Sequence, residues 1–195
     1  MREAVNLMLK LREEHGLDFE LLVNPEPTNF ADGVQIMPIG SVGKVMPVVL
    51  VQGVSAHVGD CFNGLSPLGI LSGIYDRTDS SLEFSDSYKG EATLPPTWTN
   101  FRDKKEIYDV SIPRRAGGYF TVLSLFTTPE EIIEKLKKIS FEVFKEYVRN
   151  RNITLQEYKK LVVFTKPDEI EYIPCVYTFG ELTEKLRIER GKAFE

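Results

Sequence analysis

A chain of 195 residues, 42% of them hydrophobic and with a formal net charge of -5, is long enough for one good core and mixes both signs of charge along its length. That balance leaves no basic face to hold nucleic acid by counterion release, and no apolar run approaches the roughly 18 residues that a membrane span needs. Two cysteines, Cys61 and Cys175, are too few and too far apart for a disulfide framework, and the opening residues alternate charge and hydrophobe rather than forming a signal peptide, so a cytoplasmic protein is expected.

The first segment puts Val5, Met8, Leu9 and Leu11 at helical spacing with Gly16 as a stop. Asp18 to Asn24 is short, apolar and bounded by Pro25 and Pro27, which predicts a buried strand running into the tight turn Asn24-Pro25-Glu26-Pro27-Thr28. After Gly43 comes Lys44 to Val54, a β-branched run apolar on both alternating faces, as in a strand covered on both sides or lying at an interface, with Pro47 tolerable only at an edge or bulge. Ser66 and Pro67 then open a second helix whose stripe is Leu68, Leu71, Ile74 and Tyr75; Gly69 and Gly73 on it hint at close packing.

Residues 78–100 are polar and turn-rich and read as a long loop ending in Leu94-Pro95-Pro96-Thr97-Trp98. Glu106 to Pro113 and Gly118 to Thr127 are two β-rich runs, and Arg114-Arg115-Ala116-Gly117-Gly118 between them predicts a hairpin with a glycine loop. Thr128-Pro129-Glu130-Glu131 is a capping-box start to the clearest helix, with Ile132, Ile133, Leu136, Ile139, Val143, Phe144 and Tyr147 as its apolar stripe. Beyond Asn152 a modest helix, a short strand Leu161 to Thr165, an acidic stretch and a charged helix near Phe179 to Ile188 are expected. From about 40 to about 150 the order is strand, helix, strands, helix, with one more strand needed from the loop region. The predicted class is therefore α+β, a ferredoxin-like two-layer sandwich with two helices on one face of an antiparallel sheet.

Histidine count limits the chemistry. Only His15 and His57 are present, and neither begins a spacing that places two metal ligands together, so a self-contained metal site is not expected.

Gly53-Val54-Ser55-Ala56-His57-Val58-Gly59-Asp60, followed by Asn63-Gly64-Leu65-Ser66-Pro67, resembles the lid of co-catalytic zinc aminoacylases, desuccinylases and carboxypeptidases. Upstream, Glu26-Pro27-Thr28 resembles that family's strand-end turn, whose acid binds one of two zinc ions. The arginine-utilisation branch offers a nearer likeness through Gly40-Ser41-Val42-Gly43-Lys44, the His-Val-Gly-Asp loop, Pro95-Pro96-Thr97, Tyr108-x-Val110-x-x-Pro113 and Thr128-Pro129-Glu130. Together these span roughly residues 1 to 180.

The resemblance implies an interior piece of a larger two-zinc amide hydrolase. Residues 1–35 would be a helix and strand of an α/β catalytic domain, 36–152 the lid and dimerisation domain, and 153–195 a return toward the catalytic domain. His57 would stabilise the oxyanion in the intact homodimer, and Glu26 would bind zinc only in the intact protein. Asp60, Arg114 and Arg115 are weaker candidates for contacts to a small amide or amino-acid-derived substrate. The family's early His-x-Asp, bridging Asp, Glu-Glu pair and late histidine have no counterparts here, since Glu13-Glu14 falls inside the first helix, so the chain alone is expected to be inert and to hold no zinc. In the hairpin some relatives carry asparagine after Tyr-Phe where this chain has Thr121, which weakens any substrate contact there. Two other readings stand beside this one. One is a free-standing ferredoxin-like ligand-binding or assembly module. The other is an unrelated hydrolase using Cys61 with His57, for which no third orienting group is evident.

Overall fold

The computed structural model describes residues 2–20, 30–31, 33–35, 41–163, 167 and 171–191. It divides into two compact units, Met1–Ser41 and Val42–Glu195. In the first, helix α1 (Arg2–His15) ends where Gly16, at φ 62°, donates its N–H to Arg12 O at 2.9 Å. Two short strands, β1 (Phe30–Ala31) and β2 (Val34–Gln35), pair antiparallel. Of the strand predicted at 18–24, residues 18–20 are not in a strand and the rest, with Glu26, lies outside the described residues.

The second unit is mixed α+β, built on an antiparallel sheet. Its elements run β3 (Gly43–Val45), β4 (Val48–Gln52), α2 (Pro67–Thr78), β5 (Ser87–Tyr88), β6 (Glu91–Ala92), β7 (Thr97–Asp103), β8 (Arg115–Ser124), α3 (Pro129–Leu161) and α4 (Phe179–Arg190). The long strand β8 is the axis of the sheet. Along one side β4 pairs with its first half and β3 with its last residues, and β7 pairs along the other side, all antiparallel. Between β3 and β4 lie Met46 and Pro47, so the proline sits where the edge strand is interrupted.

Alternation decides which face is covered. Val49 and Val51 of β4 with Ala116, Phe120 and Val122 of β8 are buried against Ile70, Leu71 and Ile74 of α2 and Ile132, Leu136 and Val143 of α3. Val48 and Leu50 point the other way and remain 75% and 64% exposed. The run expected to be covered on both sides or to lie at an interface is thus covered on one face among the described residues.

Close approach explains the glycines of the second helix. A methyl group at Gly73 would stand 2.7 Å from Val143 Cγ1, and one at Gly69 would collide with the Tyr147 ring, so α2 lies against α3 through a glycine notch. Arg77 of α2 adds ion pairs to Glu142 and Glu146 of α3.

The predicted hairpin at Arg114 to Gly118 is corrected. Arg115 to Gly118 open β8, where Gly117 and Gly118 are buried mid-sheet, and Glu106 to Pro113 is a loop. The partner strand is β7, drawn from the end of the polar segment read as a loop. A Cβ at Gly118 would strike Asn100 O, beside the register shift between Trp98 and Asn100, so the glycine admits a neighbouring backbone instead of making a turn.

Helix α3 starts at the predicted capping box, with Thr128 Oγ1 and Glu131 each bonded to the other's backbone N–H. It then continues unbroken to Leu161, absorbing the separate helix expected after Asn152. Helix α4 has its own box in Thr178 and Glu181, and Glu181 also pairs with Lys137 of α3 at 2.7 Å. Of the strand expected at 161–165, residues 161–163 are not in a strand and 164–165 lie outside the described residues; among the described residues no helix is long and apolar enough to cross a membrane.

Candidate functional site

Beyond β4 the chain forms a loop closed at its neck. Val54 and Leu65 exchange backbone hydrogen bonds, N–H to O at 3.0 Å and 2.9 Å, and isolate residues 55–64 as a projecting unit. The segment 110–112 fastens one side of it: Ile112 N–H donates to Ala56 O, Val58 N–H to Val110 O, and the Ser55 hydroxyl to Ile112 O at 2.8 Å. That segment is itself held by Asp109, whose carboxylate accepts from the Lys105 ammonium and from the Ser111 backbone N–H and hydroxyl. These bonds draw the Asp109 carboxyl below its usual range, with Lys105 the largest cause.

His57 stands at the start of Val58–Asn63, two short 3-10 turns joined by a kink at Asp60, and its side chain caps the first. The backbone N–H of Gly59 donates to His57 Nδ1 at 3.0 Å. In a neutral imidazole one nitrogen accepts and the other carries the proton, so this bond assigns the proton to Nε2. The exposed ring therefore presents a hydrogen-bond donor to the outside.

Asp60 is exposed in the same turn and donates its N–H to His57 O at 2.9 Å; His57 Nδ1 is taken by Gly59, not by the Asp60 carboxylate. Arg114 and Arg115 are exposed at the first end of β8, next to the end of β4 from which the histidine loop departs. Arg114 O accepts the Gly53 N–H, and Arg115 Nε donates to Gln52 Oε1 at 3.0 Å, which ties both arginines to the base of the loop. Glu26 lies outside the described residues. Cys61 is an exposed free thiol in the turn, and no hydrogen bond joins it to His57 among the described residues. Among the described residues no three of His, Cys, Asp and Glu gather as a metal site.

Sequence reasoning passed over Arg151. It lies on α3, far along the chain from the loop, yet Nε donates to Gly64 O at 3.3 Å and Nη2 donates to Phe62 O. The signal was faint: an arginine beyond the end of the apolar stripe.

The class is a mixed α+β protein with an antiparallel sheet that presents a capped histidine on a closed-neck loop. No family model matches the chain. Two curated proteins of Bacillus subtilis (strain 168) are similar to it almost end to end. The uncharacterized protein YqjN is 29% identical over 194 residues, covering 98% of this chain and 35% of the relative. Protein RocB is 26% identical over 187 residues, covering 94% of this chain and 33% of the relative. The chain thus spans about a third of the length of the curated relatives it matches.

Proposed function

We propose that this chain is an interior part of a larger two-zinc amide hydrolase related to arginine utilisation, chiefly its lid, and that His57 is the lid group that stabilises the tetrahedral oxyanion. The observation that carries this reading is the Gly59 N–H to His57 Nδ1 bond. It keeps Nε2–H free as a neutral donor, the form that stabilises developing negative charge without first exchanging a proton. The ordered motifs around it, and relatives about three times as long, support its placement in a longer protein.

In this reading residues 1–35 and 153–195 belong with the catalytic domain and 36–152 form a ferredoxin-like lid. With the short β5–β6 pair set aside, the order β3, β4, α2, β7, β8 and α3 supports that plan. The zinc ions would supply an activated water; Glu26 is the one position of this chain matching the family's ligands, and the remaining ligands and general base lie elsewhere in the longer protein. Asp60, Arg114 and Arg115, grouped around the base and turn of the His57 loop, would receive a substrate of amino-acid type, the arginines pairing with its carboxylate. A homodimer joined through the lid, in a cytoplasmic setting, completes the reading, and the exposed Val48 and Leu50 on an edge strand support the dimer.

The test is His57→Ala and His57→Gln in the longer protein, assayed on a panel of N-acyl amino acids. Losing an oxyanion donor lowers kcat by roughly a hundredfold to a thousandfold with zinc content unchanged. An unaltered kcat would remove His57 from the chemistry.

The same exposed edge strand favours a second reading, an assembly module without catalysis. Concentration-dependent dimers, together with activity indifferent to His57, would select it.

A further inference from the structure

Helix α3 does two jobs along its length. Its first turns bury Ile132, Leu136 and Val143 in the main core, and its last turns reach past the sheet to the His57 loop. Arg151 makes the connection. Its fork donates to Gly64 O and Phe62 O, the carbonyls that close the turn begun by His57. The guanidinium carbon lies 5.9 Å from the Phe62 ring centre and 5.0 Å from that of Tyr172, so it is held by aromatic rings as well as by hydrogen bonds. Phe62 in turn rests on Tyr158, two turns along the same face of α3, with ring centres 5.2 Å apart.

The turn is therefore pinned at both ends. At its start Gly59 N–H meets His57 Nδ1, and at its end the guanidinium gathers two carbonyls. A planar fork does this where a lysine ammonium, a single mobile point of charge, does not. We infer that Arg151 is a positioning residue for His57: through the 58–63 turn it holds the Gly59 amide against Nδ1 and so keeps Nε2–H directed outward. This rests on the reading of His57 as the oxyanion donor. Arg151 itself touches no reacting atom.

The experiment compares wild type with Arg151→Lys and Arg151→Met. In the isotope-labelled chain, the imidazole nitrogen spectrum reports the His57 tautomer and amide exchange reports Gly59. The expected result is one Nε2–H tautomer in the wild type and mixed tautomers in both variants. Gly59 exchange should be faster by about tenfold, as for one opened hydrogen bond. In the longer protein kcat should fall by about tenfold to a hundredfold with KM nearly unchanged, and Lys should not rescue it. If Arg151→Met loses its fold, Arg151→Lys decides. A folded Arg151→Lys with wild-type tautomer and Gly59 exchange overturns the inference; so does an Arg151→Lys that fails to fold, because the guanidinium would then serve the core. The two claims separate cleanly. Variants that disturb the tautomer while His57→Ala leaves kcat intact remove the oxyanion reading and keep the clamp. Variants that lower kcat equally with and without His57 overturn the positioning role.

Discussion

Asp86 holds Thr127 twice, accepting its hydroxyl on Oδ1 and its backbone N–H on Oδ2 at 3.0 Å. Oδ2 also accepts the N–H groups of Leu125 and Phe126 and the Ser124 hydroxyl, so one carboxylate organises the whole turn between β8 and α3. At 5% exposure burial pushes the acid's pKa up, but the bonds from Thr127, Phe126 and Leu125 outweigh it and hold the carboxyl well below the usual range. Replacing it by Asn should destabilise the protein by about 2 kcal/mol near neutral pH, because the amide keeps one acceptor oxygen but loses the charge that strengthens these bonds. A depressed pKa contributes stability that is complete above the unfolded value of about 3.9 and lost as pH falls below it. The gap between wild type and Asp86→Asn in urea unfolding should therefore narrow below about pH 4. A gap of constant size across that range would contradict the assignment.

The glycine notch between α2 and α3 makes an unusual prediction for a helix interior. Gly73→Ala gains roughly 1 kcal/mol of helix propensity, yet the added methyl meets Val143 at 2.7 Å. Overpacking of this kind costs about 1–3 kcal/mol, so a net loss of about 1 kcal/mol is expected. Thermal unfolding of Gly73→Ala, Val143→Ala and the pair should show favourable coupling; strictly additive losses would mean that the two sites do not touch.

Thr78 is fully buried at the end of α2, where its hydroxyl donates to Ile74 O at 2.7 Å and accepts from Trp98 Nε1 at 2.8 Å. Thr78→Val should cost about 1–2 kcal/mol, since the indole N–H loses its acceptor in a dry setting. Thr78→Ser keeps the acceptor and should leave the indole environment near that of the wild type. Trp98 is the sole tryptophan, so its fluorescence reads this contact directly. Identical emission from the Val and Ser variants would show that the bond is immaterial.

Zinc content tests the proposal from another side. With one candidate ligand in Glu26, the purified chain should retain far less than one zinc per molecule, and Glu26→Ala should change nothing measurable by calorimetry. Tight binding that disappears in Glu26→Ala would reveal a site built within this chain and end the lid reading.

Much of the secondary structure was legible because it depends on neighbours in sequence. The capping box at Thr128 and Glu131, the proline start at Pro67 and the stop at Gly16 follow from backbone chemistry within one turn. Gly117 and Gly118 misled for the same reason. A glycine pair reads locally as a turn, and only the approach of Asn100 O from β7 shows that the space was needed for another strand. Strand β7 itself was hidden because its sequence, Thr97 to Asp103, alternates weakly and takes its packing from Phe120 and Tyr75.

The candidate site divides along the same line. Sequence by itself singled out His57, through the motif around it, and set the class as α+β by the periods of its apolar residues. Tertiary structure decided which nitrogen of that histidine faces outward, and that Arg151 of α3 closes its loop, 87 residues along the chain from Gly64. A periodic pattern records which side of an element avoids water, and that is a local property. A hydrogen bond between a distant guanidinium and a loop carbonyl exists only once the sheet and both helices have packed, so nothing in the order of residues announces it.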